Sequence, residues 1–263
     1  MSLSWRERYV AVLGASGVGL YRRHGQALDW LGDVACIGGW HSALETLGGL
    51  LGEQRRPRAD LWVVLSSQYC RFCRVPWCDA IATPAELLEY AGACLEGIFG
   101  SSEMAWQLSV SGEEQGLPRL AAAIPGELLL RLRQLAAERG LRLVSVQPYL
   151  MAAYNHYRPQ LPADGFIFLV AEPERSTGLV AHDGQWQRVF SQGCGDGDAD
   201  LGALLQRQRR LMEEGAAALP LYLHAPGRRG GPQLAPECPC RVLAETVADA
   251  DWDLRLLMAR TVH

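Results

Sequence analysis

The stretch YCRFCRVPWC, Tyr69 to Cys78, sets three cysteines within ten residues and contains one C-x-x-C. Sulfurs at that spacing serve a zinc knuckle or a redox pair, and both uses need a turn that brings the side chains together. The intervening Arg71-Phe72 offers no glycine, and the flanking residues read as extended chain. In a strand, residues three apart point to opposite faces and lie roughly 10 Å apart along the chain. Cys70 and Cys73 are therefore read as strand cysteines. No second C-x-x-C supplies further ligands; the nearest approach is the CPC of 238–240. An enzyme of another fold that binds zinc or uses Cys73 or Cys78 is kept as an alternative, as is a Cys–His hydrolase with partners distant in sequence.

GASGVG (14–19) has the glycine spacing of a phosphate-binding P-loop, but Leu20 and Tyr21 stand where a lysine and a hydroxyl residue are required. It predicts a hairpin turn. The chain has no lysine at all: its 25 basic residues are all arginine. Schiff-base, P-loop and kinase-type lysine chemistry is thereby excluded. The six histidines form no H-x-x-x-H or H-x-E pair, and no G-x-S-x-G elbow occurs. QRQRRLMEEG (206–215) and GRRGG (227–231) read as a solvated helix face and a loop, with an acidic partner or anionic lipid as the alternative.

These residues need elements to position them. With 263 residues, 49% of them hydrophobic, the chain can build one large domain or two lobes. Its net charge of −4 argues against a nucleic-acid binder. No apolar run approaches the roughly 20 residues that span a bilayer. The start, MSLSWRERYV, is charged where a signal peptide is apolar, which predicts a cytoplasmic chain with reduced cysteines.

RYVAVLG (8–14), VGLYRR (18–23) and DVACIGG (33–39) read as strands, and HSALETLGGLL (41–51) as a helix. ADLWVVLSS (59–67) reads as a strand covered on both faces. Thr83, Pro84 and Glu86 form a capping box that predicts a helix over 84–99. A strand–strand–helix–strand series, taken as an inserted subdomain at about 104–147, follows, then a short helix and a linker at 159–165. Beyond it come strands at 165–173, 176–184 and 185–193 and a helix at 198–215; 225–240 reads as a loop.

The opening pattern thus recurs. Shifted by 159 residues, GLYRRHGQ (19–26) lies over GLVAHDGQ (178–185), and the same shift superposes three strands and a helix start. The expectation is a duplicated α/β architecture with mixed sheets, a first lobe over 1–158 and a second over 165–263.

A chain whose halves each open strand–turn–strand–strand–helix resembles the actin-like ATPase superfamily, of ribonuclease H-like architecture. Within it, VVLSSQYCRFCRVPW (63–77) with the helix ending LEGIFG, and GLRLVSVQPYLMAAYNHYR (140–158) followed by FIFLVAEP, resemble the PilM-like and GspL-like cytoplasmic assembly proteins of type IV pili and type II secretion. Known PilM-like proteins are longer, so the second lobe is expected to be shortened.

The resemblance implies a phosphate-wrapping turn between the first two strands of each half, with an aspartate for the metal. Gly14, Ser16, Gly17 and Thr177 are the positions that would lie near ATP and Mg²⁺. However, Val12 and Ala171 stand at the aspartate positions, and Pro173, which lacks an N–H, replaces a glycine. Glu172 or Glu174 would be displaced substitutes. The expected protein is a pseudo-ATPase scaffold without metal or cofactor, peripheral to the inner membrane through a membrane-anchored partner, with a homodimer as one option. A nucleotide-dependent switch is the alternative. The partner site is expected on the strand at 68–75, read as having an uncovered edge, and on the helix at 84–99, with Arg71, Arg74 and Trp77 as anchors.

Overall fold

The structure is a computed structural model and describes residues 6–52, 59–101, 105–212, 218–229, 233, 240–243 and 253–262. In chain order it forms β1 (Arg8–Leu13), β2 (Gly17–His24), β3 (Ala27–Ala35), α1 (Gly39–Gly52), β4 (Asp60–Leu65), β5 (Arg71–Val75), α2 (Pro84–Phe99), β6 (Trp106–Val110) and β7 (Arg119–Pro125). Then come α3 (Gly126–Glu138), β8 (Arg142–Pro148), α4 (Tyr149–Tyr157), β9 (Gly165–Glu172), β10 (Arg175–His182), β11 (Gln185–Gly193), α5 (Asp198–Arg210), β12 (Leu221–His224), β13 (Cys240–Val242) and α6 (Leu254–Arg260).

Two five-stranded sheets repeat one topology, β3-β2-β1-β4-β8 and β11-β10-β9-β12-β13. In each, the first three strands form an antiparallel meander and the next runs parallel to the meander's first strand. The meander strands β2 and β3 begin at 17 and 27, and β10 and β11 at 175 and 185, 158 residues on. α1 begins at 39 and α5 at 198, 159 residues on. Both outer hairpins turn on a glycine at positive φ, Gly25 at 61° and Gly184 at 70°, where a side chain would be strained. Both carry a register shift mid-strand. The duplication expected from sequence is real at the level of strand order, turn and bulge.

The third strand starts at 27, not at 33. Most of β3 is solvent-facing, so its alternation is faint and only its apolar end stood out in the sequence. α5 ends at Arg210, short of the expected 215; residues 213–217 lie outside the described ones.

The chain divides into two compact units, one of 1–69, 125–156 and 247–263, the other of 70–124 and 157–246. The sequence reading drew its lobes at 1–158 and 165–263, with an insertion at about 104–147. β6 and β7 join β5 in a separate three-stranded sheet, β5-β7-β6, whereas β8 pairs with β4 and α3 packs on α1 and β8.

In the first unit β1 is buried on both faces. α1 contributes Leu44, Leu47, Leu50 and Leu51 to one face, where Gly32 lets Leu50 approach β3. α6 covers the other face, over β1, β2 and β3. In the second unit Ile167, Leu169, Val180 and Leu221 pack against Leu201, Leu204 and Leu205 of α5. The small sheet buries Cys73, Val75, Ala121 and Ala123 against Ala91 and Leu95 of α2. At the start of α2, Thr83 Oγ1 accepts from Glu86 N at 3.2 Å, and the Glu86 carboxylate accepts from Thr83 N at 3.0 Å. No helix among the described residues is long and apolar enough to cross a membrane.

Candidate functional site

The glycine-rich turn between β1 and β2 is held from four sides by the first unit itself. Gly14 N donates to Gly17 O at 2.8 Å, and Cys36 N to Ser16 O at 3.0 Å. A single 3-10 turn at Ser67–Tyr69 supplies two more donors: Tyr69 OH to Gly14 O at 3.1 Å, and Gln68 Nε2 to Ala15 O at 3.3 Å. The turn's carbonyls from 14 to 17 are thus all engaged.

Above the glycines lies an arginine that sequence reasoning missed. A Cβ on Gly17 would collide with the Arg255 guanidinium and with Val34 O at 2.9 Å, and one on Gly19 would come within 3.2 Å of Arg255 Cβ. The glycines therefore make room for a side chain of the same unit. Arg255 Nη2 donates to Asp33 Oδ2 at 2.6 Å and to Asp253 Oδ2 at 3.1 Å, and Tyr21 OH donates to Asp253 Oδ1 at 3.2 Å. Asp253 also caps α6, accepting from the backbone N–H of Arg255 and Leu256 at 2.7 and 3.0 Å. Burial pushes the Asp253 carboxyl up, but the hydrogen bonds from Arg255 and the backbone outweigh it and hold the group below the usual carboxylate range. Burial, reinforced by Asp253, drives the Tyr21 phenol far up, so it stays protonated. No motif marks this cluster, because its members lie about 230 residues apart in sequence (Tyr21 to Asp253, separation 232).

The second unit has a parallel arrangement. The β9–β10 turn runs through Pro173 and Glu174, and Cys194 N donates to Glu174 O at 3.2 Å. Gly227 sits so close that a Cβ would lie 3.0 Å from Pro173 Cγ. Arg228 next to it donates to Asp196 O at 2.6 Å and pairs with Asp198 at 2.7 Å. Thr177, in β10 opposite Val170, is fully buried and belongs to this unit, whereas Gly14, Ser16 and Gly17 belong to the first. Val12 and Ala171, at the expected aspartate positions, are fully buried in their sheets. Among the described residues no group of three or more His, Cys, Asp or Glu side chains could hold a metal ion.

The partner candidates lie on and after β5. β5 stands at the end of its three-stranded sheet, hydrogen-bonded to β7, and β11 lies near it, with Arg74 Nε donating to Trp186 O at 2.7 Å. Arg71 lies against the rings of Phe99 and Trp106, at 5.5 and 5.8 Å, and donates to Cys70 O. Trp77 differs. Its Nε1 donates to Asp79 at 2.8 Å, and its ring borders a groove of about 610 Å³ shared with Ile81, Leu87, Leu117 and Arg119. β5 carries Cys73 and starts just after Cys70, and none of the described cysteines forms a disulfide; Cys238 lies outside the described residues. Burial pushes the Cys73 thiol up to about 11 and the Cys70 thiol higher still.

The fold of this chain is shared with solved structures. It is similar to the cytoplasmic domain of EpsL, an inner membrane component of the type II secretion system of Vibrio cholerae, with a TM-score of 0.63 and 11% identity over 97% of this chain and 94% of that one. A Bacteroides thetaiotaomicron protein with an actin-like ATPase fold matches at 0.61 and 10% identity, over 99% and 97% of the two chains. A chain of the PilM-PilN type IV pilus biogenesis complex matches at 0.55 and 16%, over 83% and 80%. No protein-family model and no curated protein matches the sequence. The chain has the actin-like fold that the sequence resemblance implied.

Proposed function

We propose that this protein is a non-catalytic assembly module of a type II secretion or type IV pilus machine, working at the cytoplasmic side of the inner membrane by holding a segment of a membrane-anchored partner. The observation that carries this reading is the likeness, over nearly its whole length, to the EpsL cytoplasmic domain. The engagement of the glycine turn by Arg255 supports a binding role over a catalytic one.

The groove beside Trp77 is the proposed seat for the partner segment, because it joins an aromatic anchor to apolar walls and one cation, Arg119. Arg71 and Arg74 brace the strand beneath it through their contacts with Phe99, Trp106 and Trp186. Affinity capture from the native cell after cross-linking tests the proposal. The wild-type chain is expected to recover a membrane-anchored secretion or pilus subunit, and a Trp77→Ala, Leu117→Ser variant to lose it. Repeated capture without any such subunit overturns the assignment, and capture that survives the double variant moves the seat elsewhere.

A further inference from the structure

α2 carries an apolar stripe that its own unit leaves open. α1 buries six of its fourteen residues, whereas α2 buries two of sixteen, Ala91 and Leu95. Positions 85, 88, 92, 95 and 99 alternate steps of three and four, the spacing of a heptad seam, and hold Ala85, Leu88, Gly92, Leu95 and Phe99. Leu95 joins the core of the small sheet with Cys73 and Val75. The others face outward. Leu88 and Phe99 are 44% and 47% exposed, Ala85 is exposed, and a Cβ on Gly92 would meet nothing within 4 Å. Eleven residues of helix bring Leu88 and Phe99 back to within about 20° of one direction and set them about 16 Å apart, with the open notch at Gly92 between. A single exposed apolar residue means little, but large ones aligned on one helix face mark a surface that another element covers.

The rim of the stripe is acidic. Glu89 and Glu96 each follow a seam leucine, Leu88 and Leu95, and so stand where paired helices select partners by charge. Both are exposed, and among the described residues neither carboxylate has an ion pair or hydrogen bond; Glu127 of α3, by contrast, pairs with Arg131 at 2.8 Å. α2 itself has no basic residue, so a second copy of this helix would bring none. Arg71 touches only the far end, against the Phe99 ring at 5.5 Å. The Trp77 groove takes Leu87, about 100° round the helix from Leu88, so the stripe lies on another side of α2.

We propose that this stripe docks a basic amphipathic helix of a partner protein, about three turns long, with apolar residues at seam spacing and lysine or arginine beside them to meet Glu89 and Glu96. The apolar contact supplies affinity, and the two carboxylates supply the choice of partner. The inference rests on α2 alone and stands whether or not the Trp77 groove holds a segment.

Fluorescence anisotropy on the full chain tests it with two dye-labelled synthetic peptides of about three heptads, leucine at the seam positions of both and either lysine or glutamate at the flanking ones. At near-physiological ionic strength the wild type is expected to bind the lysine peptide with a micromolar dissociation constant and the glutamate peptide at least ~10-fold more weakly. Glu89→Lys with Glu96→Lys is expected to reverse that preference, which attraction to the chain's overall negative charge would not do. Leu88→Ser with Phe99→Ser, checked for folding by circular dichroism, is expected to weaken the lysine peptide at least ~10-fold. Leu130→Ser, an exposed apolar position on α3, is expected to leave binding unchanged. A lysine peptide that stays unbound at hundreds of micromolar overturns the proposal, as does a preference that survives reversal of both glutamates.

Discussion

Arg255 shows how a sequence motif can be legible as geometry while its neighbour in the fold is not. The glycines at 14, 17 and 19 were legible as a turn permitting close approach, but what approaches is an arginine from α6. Arg255→Ala is expected to destabilise the chain by about 1–3 kcal/mol in urea melts, since it removes the cation that Asp33 and Asp253 share. Gly17→Ala is expected to cost a similar amount through overpacking, about 1–3 kcal/mol. If both variants melt like the wild type, Arg255 is not seated as described. The cysteines give a second test at this scale. With Cys70 and Cys73 buried and their thiols held protonated, a thiol reagent at neutral pH is expected to label neither until the chain unfolds. Rapid labelling of Cys73 in the native state would revive the thiol-enzyme alternative.

Acid titration separates residue from fold. The Arg142 guanidinium, bonded to Asp60 at 2.9 and 2.6 Å, holds that carboxyl below its ordinary range against the opposing effect of burial. A depressed folded value means the stabilisation is present above the unfolded pKa, about 3.9, and is lost as pH falls through the folded one. Between pH 6 and pH 3, taken as roughly bracketing that window, the Asp60→Asn variant is therefore expected to lose less stability than the wild type. An equal loss contradicts the pairing.

At the scale of elements, local signals were sufficient where the chain is its own context. α2 was legible from Thr83, Pro84 and Glu86 alone, and its cap forms both reciprocal bonds. Thr83→Ala is expected to cost about 1 kcal/mol, and Thr83→Ser to restore most of it; no difference between the two would remove the cap from the account. β5 was also legible as a strand through its cysteines, but not its surroundings. β11, which lies near it, begins more than a hundred residues later, and contact of that range leaves no local trace. β3, which ends the first five-stranded sheet, was read only over its last residues. That strand was half missed because exposure erased its alternation.

At the scale of the whole molecule, duplication was visible in sequence as a shift of 159 residues, and with it the actin-like fold. The unit boundaries were not, because they depend on where 70–124 and the C-terminal helix pack rather than on the order of elements. The proposed role is to bind protein, and Arg255 lies against the first glycine turn where a nucleotide-dependent relative would hold a triphosphate. Calorimetric titration of the purified chain with ATP and Mg²⁺ tests it most directly. Silence up to millimolar nucleotide is the predicted result; a magnesium-dependent, micromolar dissociation constant would contradict it.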